Sequence, residues 1–181
     1  MTISTENLIN ELIDLTQEHL AFAESLLLKT DAELNKRLTN ESWSVLECFE
    51  HLNLYGNFYL PEIKNRIETS TTKATTEFKS GWLGNYFAQS MLPKEKLNKM
   101  KAFKSMNPIH SSLSKNTVTI FIDQQKQLLD LLNASRNVNL NKVKTNISIT
   151  TLIKLKVGDT FRFLIYHNKR HAVQAQKVLA N

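Results

Sequence analysis

His167 and His171 stand four residues apart in the stretch "YHNKRHAVQA", Tyr166 to Ala175, in a chain that has only five histidines. On a helix, residues i and i+4 share one face, with Cβ atoms about 6 Å apart. Two imidazoles placed this way can grip one metal ion from the same side, and zinc, nickel, copper and ferrous iron all accept imidazole. The plain alternative is a polar pair on a helix surface. A third histidine, His51, lies in an apolar run between Phe49, Leu52 and Leu54. Alone it reads as a satisfied core residue. Three neutral imidazoles on two neighbouring helices would leave an open position for water or substrate.

Other residues near these three invite paired readings. Glu47 lies four residues before His51 and could orient its ring. Ser44 and Glu47 also spell the capping box S-x-x-E, which is the simpler use of that carboxylate. Cys48 is a possible soft ligand, but a free cysteine in this context packs as a small apolar group. Arg162 and Arg170 could hold the carboxylate of a thiol cofactor; solvated arginines on a helix surface are the simpler account. Tyr55 and Tyr166 suit either a pocket wall or the core. His19 falls on an apolar stripe and reads as a core-edge residue. His110 follows Pro108 and reads as solvent-facing, with a lid role near the metal as its alternative. Asn168 stands where the general-base glutamate of an H-E-x-x-H zinc peptidase would be, which argues against peptidase chemistry and favours thiolate chemistry.

The elements that must carry these residues are helices. Leu8, Leu12, Leu15, His19 and Phe22 form one stripe, joined by Ile9, Ile13, Leu20, Leu27 and Leu28, which predicts a helix from Thr5 to Lys29. Ser4 or Thr5 can cap it. A second helix follows the capping box at Ser44 and ends near Ile67, with Val45, Leu46, Phe49, Leu52, Tyr59, Leu60 and Ile63 inward. Pro61 allows a bend. Residues 68–77, "ETSTTKATTE", read as loop. "SGWLGNYFAQSML" reads as a short helix or amphipathic loop. "NTVTIFIDQQKQLLDLLNAS" gives the third long helix, with Ile120, Phe121, Gln124, Leu128, Leu131 and Leu132 inward. "RNVNLNKVKTNISIT" reads as extended. A fourth helix starts near Gly158 or Asp159 and buries Phe161, Leu164, Ile165, Ala172, Ala175 and Leu179. The sum is an all-α, four-helix bundle, a common frame for metal ligands on facing helices. Its helices 2 and 3 are separated by a long insertion, residues 69–114, with aromatic residues that suit either a cover for the site or a dimer surface.

Two segments carry a resemblance. "WSVLECFEHLNLY" (Trp43 to Tyr55) and "HNKRHAVQA" (His167 to Ala175) look like the two signature segments of the DinB/YfiT-like superfamily. There a Trp-Ser opening precedes a helix bearing a His-Leu pair, and a last helix carries H-x-x-x-H followed by glutamine. Trp43, Ser44, His51, Leu52, His167, His171 and Gln174 match. The resemblance implies an up-down-down-up bundle and a divalent metal, commonly zinc or nickel, on His51, His167 and His171. It also implies frequent homodimers and, in some relatives, thiol S-transferase activity with bacillithiol, mycothiol or a similar low-molecular-weight thiol. The activities expected on this basis are such a metal-dependent transfer to a small-molecule substrate, a metal-dependent hydrolase on the same site, or non-catalytic binding of metal or ligand.

The bulk properties set the outer limits. The 181 residues suit one domain, 1–181, rather than two. Only 4 glycines and 3 prolines leave too few turns for an all-β sandwich. No apolar run is long enough to span a bilayer. The N-terminal segment lacks the basic and apolar regions of a signal peptide. The single cysteine excludes an intramolecular disulfide framework, and the expected location is cytoplasmic. The net charge of +6 comes from scattered residues, densest from Pro93 to Lys104 and interrupted even there, which argues for a solvated basic face over a nucleic-acid surface.

Overall fold

The structure is a computed structural model, and it describes residues 1–93 and 102–181. Residues 94–101, which hold most of the basic stretch singled out above, lie outside the described residues. Four long helices pack side by side: α1 (Thr5–Leu26), α3 (Val45–Glu68), α5 (Asn116–Ser135) and α6 (Val157–Leu179). Two shorter ones, α2 (Asp31–Asn35) and α4 (Trp82–Met91), lie in the connections.

Side-chain bonds between the helices give their directions. Arg136 at the end of α5 bonds Asn10 and pairs with Glu6 near the start of α1. Lys115 at the other end of α5 reaches the Leu27 carbonyl. These two helices are therefore antiparallel. Asn53 bonds the Thr117 carbonyl, and Gln124 bonds Asn53 and Asn57, so α3 and α5 run the same way. On α6, His171 and His167 meet His51, while Phe163 meets Tyr59, so α3 and α6 oppose. It follows that α1 and α6 run together.

Local chemistry explains the helix starts. Ser44 caps α3: its hydroxyl accepts from Glu47 N and the Glu47 carboxylate accepts from Ser44 N at 2.8 Å. Thr30 and Glu33 repeat the same reciprocal cap on α2. α1 ends at Leu26, short of the Lys29 expected, and Leu27 and Leu28 are exposed because the chain turns there. α3 continues through Pro61 to Glu68. α6 begins at Val157, within two residues of the expected start.

The structure amends the expectation of a wholly helical chain. The described residues are mostly helical, with two small antiparallel ladders. β1 (Thr2–Ser4) pairs β2 (Glu77–Lys79), and β3 (Lys144–Ile147) pairs β4 (Thr150–Lys156). β2 begins at Glu77, the last residue of the threonine-rich stretch read as loop, and it exists because Phe78 is fully buried there. Phe78 lies against the start of α6: a Cβ on Gly158 would meet its ring at 2.6 Å, so glycine permits that approach. The β3–β4 hairpin gives form to the segment read as extended, with Thr145, Ile147 and Leu155 turned inward.

The described residues between α3 and α5 contain β2, α4 and a 3-10 turn, Lys104–Met106. α4 lies on α6 through Gly84, Ala88 and Met91. Its start is fixed by Asp159 of α6, which accepts from Gly81 N at 2.8 Å and from the Ser80 hydroxyl. Arg162 completes the knot, bonding Ser80, Asn85 and Asp159.

The core divides into two apolar clusters. One gathers Leu8, Leu12, Tyr59, Ile63, Leu128 and Phe161 with their neighbours. The other gathers Leu26, Leu46, Phe49, Phe121, Ala175 and Val178 with theirs. Between them, at one level of all four long helices, run buried polar side chains: His19 on α1, His51 and Asn53 on α3, Gln124 and Gln125 on α5, and His167, Asn168, Arg170 and His171 on α6. No helix in the described residues is long and apolar enough to cross a membrane.

Candidate metal centre

His51 sits in the second turn of α3, on the face turned to α6; His167 and His171 sit one turn apart on the opposing face of α6. The antiparallel packing brings all three rings to one point. The Nε2 of His167 is 3.1 Å from the Nε2 of His51 and 3.1 Å from that of His171. All three side chains offer a nitrogen within 4.8 Å of the others. Their exposures are 3%, 5% and 8% for His51, His167 and His171.

The outer nitrogens determine what the inner ones can do. His51 Nδ1 faces the Met106 carbonyl, which can only accept, so that nitrogen carries the hydrogen and Nε2 keeps a lone pair. His171 Nδ1 donates to the Gln174 side-chain oxygen at 2.9 Å, with the same consequence. His167 Nδ1 has no hydrogen-bond partner among the described residues. Two inward lone pairs around a third imidazole nitrogen require a positive centre, either a shared hydrogen or a metal ion. Two nitrogens each about 2.0–2.1 Å from one zinc ion lie roughly 3 Å apart, so the observed spacing suits a common ion.

Burial also sets the protonation state. It lowers the pKa of His51 to about 4, with the Met106 carbonyl working weakly against it. It lowers His171 to about 3, aided by the nearby imidazole of His51. His167 is driven well below the ordinary value by burial and then by its two neighbours. Neutral imidazoles are the form that ligates. The three residues could hold a divalent metal.

Aromatic rings enclose the cluster. Trp43 lies 4.7 Å from His51 and 5.5 Å from His171, centroid to centroid. Tyr55 lies 4.6 Å from His167, and Phe163 stacks on that ring at 5.9 Å. Tyr55 is thus at the site. Tyr166 is not: its hydroxyl donates to Glu11 and its ring faces Arg162.

The remaining candidates are dispersed. The Glu47 carboxylate makes the capping box and also receives Arg37 Nε at 2.8 Å, Arg37 Nη2 at 2.6 Å and the His110 N–H. It has no hydrogen bond to His51. Burial would push this carboxyl up, but the bonds from Arg37, Ser44 and His110 hold it below the usual range. Cys48 is fully buried in an apolar cluster, and burial pushes its thiol up. Asn168 donates to Gln125 Oε1 at 3.1 Å, toward α5. His110 is exposed, as expected, while His19 is buried and apart from the three. Arg162 and Arg170 are both buried, which overturns the solvated reading. Arg162 belongs to the Asp159 knot, and the charge of Arg170 is felt by His167 and His171.

Sequence reasoning missed the Met106 carbonyl, a backbone acceptor that residue type cannot reveal. It also missed Asn107, whose Oδ1 accepts from Trp43 Nε1 at 3.0 Å.

A mostly helical protein with a buried three-histidine cluster between two of its long helices is the class that fold and site define. The DinB superfamily model matches residues 11–175, and the chain belongs to that superfamily. No curated protein and no solved structure matches it.

Proposed function

We propose that this protein is a divalent-metal-dependent thiol S-transferase of the bacillithiol- or mycothiol-using kind, with zinc or nickel on His51, His167 and His171. The observation that carries the reading is the convergence of the three Nε2 atoms. We read the four long helices as the up-down-down-up bundle of the family and the segment between α3 and α5 as its insertion. A homodimer, a small-molecule substrate and a cytoplasmic setting belong to the same reading.

The chain's own groups do the positioning. Met106 O and Gln174 hold the Nδ1 hydrogens of His51 and His171, which keeps both Nε2 lone pairs turned inward. Trp43, Tyr55 and Phe163 exclude bulk water from the imidazoles. A divalent cation held by these imidazoles would supply Lewis acidity, which would lower the pKa of a thiol; in the transfer the thiolate sulfur would bond the electrophilic carbon and the displaced group would leave with its electron pair. Thiol chemistry is favoured over hydrolysis because, among the described residues, no carboxylate bonds any of the three imidazoles and Asn168 is turned to Gln125. The low exposure of the cluster favours, as a second reading, a bundle that binds metal without turnover.

Elemental analysis of untagged protein is the first test. We expect near-stoichiometric zinc or nickel, lost in His167→Ala. Full folding with no metal under any loading rules the site out. A panel of thiols with chlorodinitrobenzene then tests the transfer. Turnover that needs no thiol favours hydrolysis, and metal without turnover in either format favours the binding reading.

A further inference from the structure

We infer that Glu47 is a positioning residue for the three-histidine cluster, acting through a turn of the chain rather than by touching a ring. This inference rests on the metal-site reading for its importance, though its geometry stands alone.

A capping box uses one oxygen of a carboxylate to accept from the cap N–H. Glu47 does that with Oε2. Its other contacts go beyond capping. The side chain is fully buried, Arg37 grips both oxygens, and Oε1 also accepts the His110 N–H. His110 is the one non-glycine residue at positive φ among the described residues, at 65°. That left-handed conformation is unfavourable for a side-chain-bearing residue. Its N–H is nevertheless held on Glu47.

The turn so anchored is short and tied at successive points. Asn107 Oδ1 accepts from Ile109 N at 3.3 Å and from Trp43 Nε1 at 3.0 Å. Ser111 N bonds Pro108 O at 3.0 Å, and Met106 N bonds Phe103 O at 2.8 Å. The Met106 carbonyl in this run receives the His51 Nδ1 hydrogen. The path therefore runs from Glu47 to the His110 backbone, to the Met106 carbonyl and to the His51 ring. Glu47 sits one turn before His51 on the same helix, so both ends of the path are fixed to α3. Loosening the middle frees the His51 ring to flip or to move its hydrogen to Nε2, which removes a ligand lone pair.

Ser44→Ala removes the hydroxyl half of the cap and leaves Arg37 and His110 untouched. Glu47→Gln removes the charge that gathers them. Two readouts apply to both variants and the wild type. Zinc affinity is measured by competition with a chromophoric chelator, and long-range nitrogen-15 spectra of the metal-free proteins report which nitrogen of His51 carries hydrogen. We expect Glu47→Gln to weaken zinc binding by about 10-fold or more, the range usual for loss of an outer partner of a ligand. We also expect it to populate the Nε2–H form of His51. Ser44→Ala should leave affinity within about 3-fold and the ring unchanged, at whatever melting temperature it shows. Equal losses in the two variants would reduce Glu47 to a cap and overturn the inference; so would an unchanged His51 in Glu47→Gln. Should Glu47→Gln not fold, His110→Pro, which lacks the N–H and cannot hold a φ of 65°, breaks the same turn from an exposed position, and an unchanged His51 there overturns the inference equally. A wild type that binds no zinc sinks the metal reading, whereas the ring spectra still decide the role of Glu47.

Discussion

His51 and His167 look alike in the sequence, but the structure gives them different outer partners. His51 has a backbone carbonyl, His171 has Gln174 and His167 has none among the described residues. The three ligand candidates were legible because histidine is rare in this chain and the i, i+4 pair is a face-sharing spacing. The Met106 carbonyl was not, since every residue carries one. Arg162 and Arg170 read as solvated because their partners are remote: Ser80 and Asn85 lie some eighty positions from Arg162. His19 tests burial at this scale directly. Burial and then the Lys169 ammonium lower its pKa to about 4. Between about pH 6.5 and 4 the unfolded chain therefore binds a proton that the folded chain does not, so stability falls as pH falls, by at most about 1.4 kcal/mol per pH unit. His19→Leu should remove His19's share of that slope, while the buried His51, His167 and His171 keep theirs. Comparing denaturant midpoints at pH 7 and pH 4.5, the variant should lose about 2 kcal/mol less than the wild type. Equal losses would mean that His19 is hydrated in the folded state.

At the scale of elements, the long helices were legible from their apolar period, and the shorter pieces were not. β2 is three residues long, and its reason is Phe78 meeting Gly158, a contact across eighty residues of chain. The β3–β4 hairpin hides behind asparagines and lysines, because only one face of each strand is buried. α4 was placed as a helix or an amphipathic loop, and its seat on α6 depends on a glycine. A Cβ on Gly84 would come within 2.6 Å of Asp159 Cβ and 2.5 Å of its Cγ. Asp159 cannot yield easily, because Ser80, Gly81 and Arg162 all bond its carboxylate. Alanine would favour the helix by up to about 1 kcal/mol, while overpacking costs about 1–3 kcal/mol. Gly84→Ala should therefore lower stability in urea melts. Gly81→Ala, whose Cβ would sit 3.3 Å from the same carboxylate, should cost less. A Gly84→Ala protein more stable than wild type would show that α4 is not seated on Asp159.

At the scale of the whole molecule, a belt of buried polar residues, His19, Asn53, Gln124, Gln125 and Asn168 with the three clustered histidines, lies between the two apolar clusters, and it holds the candidate metal centre. Each long helix contributes apolar residues above and below it and polar ones at it. A helix shifted by one turn along its axis would set these amides and imidazoles against leucine and phenylalanine and break the bonds that Asn53, Gln124, Gln125 and Asn168 now make. We expect the belt to oppose wrong registers, even where no histidine is involved. Asn168 and Gln125 give the cleanest case: Asn168 Nδ2 bonds Gln125 Oε1 at 3.1 Å, beside a cavity of about 10 Å³ between α3, α5 and α6. Leucine at either position alone strands the other amide, at a cost of about 1–3 kcal/mol. Leucine at both replaces a bonded pair with apolar volume, which is close to neutral in the same terms. The double variant, Gln125→Leu with Asn168→Leu, should therefore be more stable than the sum of its parts predicts, with a coupling of about 0.5–3 kcal/mol in a urea cycle. If the belt sets register, that double variant should also refold less uniformly than the wild type, read as broadened amide resonances at unchanged melting temperature. Additive single losses would mean that the two amides do not depend on each other. Sharp resonances in a stable double variant would assign the register to the leucine packing alone and leave the belt to the metal site.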